Sequence, residues 1–242
     1  MIPRKLHYCW FGERPMPLQA RRCLASWTYR LPGYELVRWD EQTFDPQSHP
    51  FTAAAYTAGR FAFVSDYVRM LALSEQGGIY LDVDVEVLSS IDECLKSSFF
   101  IGLEDRHRFA TSLIGSVSGH WLPRRMLAYY DSVAFSVADL SALVNVNEVS
   151  RLLIAHGFTG AGASESLGAE RVYPIGSFGV ARPELACADQ VYARHLFAGT
   201  WRSGRNKGLL SRFWRWLRSV PDYMQALAKL LFYRGATCVR RR

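Results

Sequence analysis

The sequence predicts an α/β fold, a sheet covered by helices on both faces, and three observations carry that expectation. Over Gly77–Leu88 the residues alternate strictly. Ile79, Leu81, Val83, Val85 and Val87 fall on one side, and Tyr80, Asp82, Asp84 and Glu86 on the other, as in a strand with one apolar face. Residues 6–40 read as strand, helix, strand, a βαβ unit with a parallel pair. Beyond residue 88, strand-like and helix-like stretches continue to take turns.

Taken in order, Leu6–Phe11 is an aromatic-rich strand ending at Gly12. Helical periodicity runs over Leu18–Tyr29, and Pro32-Gly33 ends it. Tyr34–Asp40 is the second strand. A polar loop leads to Pro50, then two helices follow over Thr52–Gly59 and Phe63–Gln76. The latter puts Val64, Val68, Leu71 and Ala72 on one face, sets Asp66 and Arg69 on adjacent turns, and stops at Gly77-Gly78. The acidic strand emerges directly from it. Phe99–Glu104 is a further strand, a glycine-containing stretch (Gly115, Gly119) precedes a helix over Pro123–Phe135, and Asn145–His156 is another helix. Residues 157–171, rich in Gly, Ser and Ala, read as a mobile surface loop. Val172–Phe178 and Gln190–His195 are the last strand-like pieces.

The length of 242 residues suits one domain with an appendage, and 49% apolar with 14% aromatic residues excludes disorder. The net charge of +7 is unevenly placed. Residues 202–242 hold eleven Lys or Arg against one acid, Asp222, while the body carries a slight acidic excess. An anionic partner for the tail follows. After a flexible Arg202–Gly208, the tail places Leu209, Leu210, Phe213, Trp214, Leu217 and Val220 opposite Arg212, Arg215 and Arg218. A second apolar helix covers Met224–Tyr233. That composition suits a helix lying in an anionic lipid interface, or one packed on the body or on a second copy. Nucleic acid is disfavoured as a partner, because the body is acidic and no motif for it is present. Five scattered cysteines suggest free thiols rather than zinc or disulfides. No signal-like or membrane-spanning run is present, so a cytoplasmic location is expected, with the tail allowing peripheral attachment to the inner membrane face.

The chemistry concentrates in the acidic strand. Three carboxylates in a row repel one another, and a cation is the simplest remedy. Asp82 and Asp84, one residue apart, suit a hard divalent ion, Mg²⁺ or Mn²⁺. The plainer alternative is a solvated edge strand whose acids discourage aggregation.

Ile2–Gly12, Ser26-Trp27, Pro32–Glu35, Phe63–Arg69, Gly77–Asp84, His195 and Thr200-Trp201, in that order, resemble glycosyltransferase family 32. This group includes yeast initiating mannosyltransferases and bacterial capsule and lipopolysaccharide enzymes, with the glucosylating clostridial toxins as distant kin. The resemblance implies a GT-A domain over residues 1–201, a Rossmann-like mixed sheet flanked by helices, with residues 202–242 as the basic amphipathic helical tail. It implies a hexose moved with retention from a UDP- or GDP-linked sugar to a bacterial, lipid-linked surface glycan, with Mn²⁺ or Mg²⁺ as cofactor. Asp82 and Asp84 match the metal and ribose-phosphate motif, with His195 the expected third metal ligand. Asp66 and Arg69 match the pair that holds the donor sugar. Trp10 matches a base-stacking aromatic, Tyr80 belongs to the nucleotide-sugar motif, and Trp201 matches an indole that caps the β-phosphate. Thr200 stands where many members have Ser, and an Asn of the acceptor side is expected to be replaced near Thr111. Two other functions are compatible with the residues: a sugar or nucleotide-sugar binding protein without turnover, and a membrane-associating scaffold acting through its tail. The remaining histidines, His7, His49, His107, His120 and His156, are expected to be structural.

Overall fold

The computed structural model describes residues 1–179, 186–197, 228–229 and 231–233. Strand β1 (Lys5–Cys9), helix α1 (Leu18–Arg30) and strand β2 (Glu35–Trp39) form the expected unit, with β1 and β2 parallel from Lys5↔Glu35 to Cys9↔Trp39. Helices α2 (Pro50–Thr57) and α3 (Phe61–Gln76) come next, and β3 (Gly78–Leu81) leaves α3 directly and lies parallel to β1. The chain continues through β4 (Val85–Val87), β5 (Phe99–Asp105), β6 (Arg108–Ser116), α4 (Trp121–Ser132) and α5 (Asn145–His156). It then adds β7 (Glu165–Leu167), β8 (Glu170–Tyr173) and β9 (Ala193–His195). Seven strands form one mixed sheet in the order β2-β1-β3-β6-β5-β8-β7, and β4 pairs with β9 in a separate two-stranded ladder.

The sheet has a core on each face. Ile79 and Leu81 pack with Trp27 of α1, Val85, Val87 and Phe100. Tyr80 points the other way, among Val64, Val68 and Leu73 of α3. Both sides of β3 are therefore buried, whereas the alternation suggests one apolar and one polar face. The run is also not one strand. After Leu81 the Asp82 amide still donates to Ser112 O (2.9 Å), but the Val85 amide donates to Asp82 O (2.9 Å), which closes a turn over residues 82–85. Glu86 does not join a row with the two aspartates. It is wholly buried on the far side, against Arg22.

Two further expectations change. Residues 157–171 are no mobile loop: they contribute β7 and begin β8, and Glu165 accepts from the amides of Thr159 (2.6 Å) and Gly160 (2.7 Å). Of the glycine-containing stretch before α4, Gly115 lies in β6, the longest strand described, which bridges β3 and β5, and Gly119 lies in the turn that follows. Cys9, Cys23 and Cys94 are buried free thiols and Cys187 is exposed. Burial pushes Cys9 and Cys23 up to about 12, which leaves them unreactive. Among the described residues no helix is long and apolar enough to cross a membrane. Of the tail, Leu209–Val220 lies outside the described residues, as do Thr200, Trp201 and Cys238. The described pieces at 228–229 and 231–233 are helical, and Phe232 and Tyr233 pack against Tyr29 of α1 at 5.8 and 5.4 Å between ring centres.

The junction from α3 to β3 is closely packed against backbone. Gly77 has φ +63°, and a Cβ there would stand 2.6 Å from the Ser118 nitrogen and 3.0 Å from Ser116 O. Both are backbone atoms that cannot easily yield. His7, fully buried on β1, holds this junction from the side: its Nε2 donates to Gly77 O at 2.8 Å, while its Nδ1 accepts from Trp39 Nε1 at 3.2 Å. An indole N–H can only donate, so the imidazole is neutral with its proton on Nε2. Burial holds its pKa below the ordinary 6.5, although the bond to Gly77 opposes this.

Two outcomes are expected. Gly77→Ala destabilises the protein by about 1–3 kcal/mol, read from urea unfolding. The lowered pKa of His7 means that the unfolded chain binds the extra proton first. Its contribution is therefore full above pH 6.5 and is lost as pH falls towards the folded value. Unfolding midpoints taken from pH 7.5 down to 5.5 should drop less steeply for His7→Gln than for the natural chain; parallel curves would refute the assignment.

Candidate active site

Helix α3 supplies the first half of the site. Arg69 is only 4% exposed, and its guanidinium is divided among several neighbours. Nη1 donates to Thr111 O of β6 (2.9 Å), and Nη2 donates to Asp82 Oδ1 (2.8 Å) and lies 3.2 Å from Asp66 Oδ1. The Tyr80 ring lies beneath, 4.4 Å from the guanidinium carbon. Asn145, at the start of α5, closes the circuit: its Nδ2 donates to Asp66 Oδ1 (2.8 Å), and its Oδ1 accepts from Thr111 Oγ1 (3.0 Å). Burial pushes the Asp66 carboxyl up to about 7; Arg69 opposes that rise and Asp82 adds to it. Burial alone would lower Arg69, but Asp82, Tyr80 and Asp66 outweigh it and keep the guanidinium charged.

The second half is the turn between β3 and β4. Asp82, Asp84 and His195 each offer a ligand atom, all within 4.8 Å of one another and all partly open to solvent. His195 arrives on β9, opposite Val85 in the ladder, and its Nε2 lies 3.2 Å from Asp84 Oδ1. Burial would lower its pKa, but the bond and charge of Asp84, with the charge of Asp82, raise it above the ordinary 6.5. Two carboxylates and one imidazole within such reach fit Mn²⁺ or Mg²⁺, the nitrogen favouring Mn²⁺. Gly179 (φ +122°) backs the His195 main chain so closely that a Cβ would come within 2.8 Å of His195 Cβ and 2.9 Å of its nitrogen.

What pins this turn is α1. Trp27 Nε1 donates to Val85 O at 2.7 Å, and the Val87 amide donates to Ser26 Oγ at 3.0 Å. Both side chains are fully buried, so the Ser26-Trp27 pair supports β4 from inside the core.

The structure thus brings Asp66, Arg69, Asp82, Asp84 and His195 together. Trp10 directly follows β1; it is half-buried, its amide donates to Trp39 O (2.9 Å) and its Nε1 donates to Arg14 O (2.9 Å). Tyr80 is 1% exposed and forms a floor under Arg69 instead of opening to the cleft. Trp201 lies outside the described residues. Asn145 was not among the expected residues. An amide stands against Thr111 after all, brought there by α5, and only the long-range pairing reveals it. His7, His49, His107, His120 and His156 each hydrogen-bond to a nearby backbone or carboxylate group.

Residues 17–101 match the family described as the glycosyltransferase sugar-binding region containing a DXD motif. A curated relative, subversion of eukaryotic traffic protein A of Legionella pneumophila, is 25% identical over 111 residues, which cover 35% of this chain and 17% of that protein. This chain therefore spans less than a fifth of that relative's length. Among solved structures, the PaToxG glycosyltransferase superposes with a TM-score of 0.50 at 13% identity, covering 64% of this chain and 69% of that one. A glycosyltransferase involved in glycosylation of the major capsid of PBCV-1 gives 0.40 at 13% identity, covering 81% and 94%. Residues 17–101 thus resemble the DXD-bearing sugar-binding region of glycosyltransferases, and the mixed sheet flanked by helices has the fold of a solved glycosyltransferase.

Proposed function

We propose that this protein transfers a hexose, with retention of configuration, from a UDP- or GDP-linked sugar to a glycan acceptor, using a divalent cation held by Asp82, Asp84 and His195. The observation that supports this best is the convergence of those three ligand groups beside the Asp66–Arg69 pair. It occurs at the carboxyl end of β3, where open α/β sheets bind their ligands.

When bound, the cation supplies charge neutralisation for the departing diphosphate. The chain's own residues do the rest. Asp66 directs both of its described contacts to Oδ1, leaving Oδ2 for a sugar hydroxyl, and in its ionised form it would stabilise positive character at the sugar ring. Arg69 is committed to Asp66, Asp82 and Thr111 O, so its first task is to hold two carboxylates in place. Trp10 offers a face for the base and Trp201 an indole for the β-phosphate. Retention rests on the family resemblance.

For the acceptor, the basic tail supports a lipid-linked bacterial surface glycan, reached from the cytoplasmic side of the membrane. The name of the Legionella relative, which speaks of subverting eukaryotic traffic, favours a second reading in which the transfer acts inside a eukaryotic host. Incubation of the enzyme and labelled donor with bacterial lipid extract or with eukaryotic lysate separates the two.

Nucleoside diphosphate release from a panel of UDP- and GDP-sugars should require Mn²⁺ or Mg²⁺. Asp84→Ala should lose that release by roughly a hundredfold or more, together with the metal-dependent rise in melting temperature given by nucleotide. A mutant that still shows the full rise would contradict the metal assignment.

A further inference from the structure

Glu86 takes no part in the chemistry above, yet it is the most fully buried carboxylate near the site. It sits in β4 two residues after Asp84, with no exposed surface. A carboxylate taken wholly out of water costs several kcal/mol unless cations and donors surround it. Among the described residues three groups do so. Arg22 Nη2 of α1 reaches Oε2 at 3.3 Å, while Lys229 Nζ and the Tyr233 hydroxyl both reach Oε1 at 3.3 Å. Both groups on Oε1 come from the C-terminal segment. That segment is seated by its aromatics as well: Tyr233 is 5% exposed and packs on Tyr29, whereas its neighbours Leu231 and Phe232 remain 63% and 60% exposed.

We propose that the Lys229–Tyr233 segment is a positioning clamp for the aspartate turn, acting through Glu86; this rests on the metal reading given above. β4 is short, has one ladder partner, and carries Asp84 at its entrance and His195 across the ladder. On one side Trp27, Ser26 and Arg22 tie it to α1. On the other, Lys229 and Tyr233 complete the shell around Glu86. If they are removed, Oε1 loses both donors that the described residues give it while staying buried. The carboxylate then gains by moving towards water, and β4 moves with it. The distance between Asp84 and His195 is the quantity that this displacement changes. Lys229 and Tyr233 are thus positioning residues for a site they do not touch.

The test uses the full chain carrying Lys229→Met with Tyr233→Phe, beside Lys229→Arg. Free Mn²⁺ is followed by electron paramagnetic resonance, and amide exchange is measured without metal. The double variant should bind Mn²⁺ roughly tenfold more weakly, the size of loss seen when support behind metal ligands is removed. Its amide exchange should speed up in peptides covering 84–88 and 193–196 and stay unchanged in β1 and β2. Lys229→Arg, which keeps the cation, should hold the affinity of the natural chain. Wild-type affinity and exchange in the double variant would overturn the clamp, as would exchange that accelerates equally everywhere. If the natural chain binds no Mn²⁺, the metal reading fails by itself. Exchange then decides the clamp: acceleration confined to β4 and β9 upholds it, and none overturns it.

Discussion

Arg69 is a charge that the fold has taken out of water and must therefore surround. Breaking such an arrangement from one side costs about 3–5 kcal/mol, because the partners are left charged and buried. Its neighbours come from separate parts of the chain: Asp66 on its own helix, Asp82 after β3, Thr111 on β6, and the Tyr80 ring below. Any movement of α3 against the sheet would strand the guanidinium. The helix, the sheet and the aspartate turn consequently hold one fixed relation. Asp82 is oriented by this cation, which leaves Asp84 to meet the imidazole arriving from β9.

Much of this was legible in the sequence because it is local. The three-residue spacing of Asp66 and Arg69 puts them on one helix face, and the structure pairs them at 3.2 Å. The first βαβ unit, α5 and the stop at Gly77-Gly78 follow from periodicity and glycine placement. The alternation over residues 79–88 was less faithful. Period two reports which side a residue faces, not whether the strand continues. It could not reveal that β3 has a core on both faces, nor that the chain turns between Asp82 and Val85. Glu86 belongs to the alternation yet faces Arg22, so a row of three acids was an artefact of treating two strands as one.

What remained hidden is long-range. Asn145 meets Asp66 across 79 positions, and nothing near either residue announces it. β6 was passed over because Gly115 reads as a break, but a Cβ there would lie 2.0 Å from the Phe100 ring, so glycine is what lets that ring cross the strand. His195 stood out only through its resemblance to a family, since a lone histidine carries no ligand signal; the β4–β9 ladder is what brings it to Asp84. The lipid-facing helix expected over Leu209–Val220 lies outside the described residues, and the aromatic residues of the second expected helix, Phe232 and Tyr233, are described and pack on Tyr29 of α1.

The bonds from Trp27 and Ser26 to β4 also govern alignment. They grip the Val85 carbonyl and the Val87 amide, groups two residues apart that a sliding strand would have to release together. A displacement of one position would exchange the sides on which side chains fall and bring valines to the side where the aspartates meet His195. Correct indexing of the acids is therefore guarded by a helix packed beneath them, so substitutions in α1 that spare the rest of the fold still reach the aspartate turn.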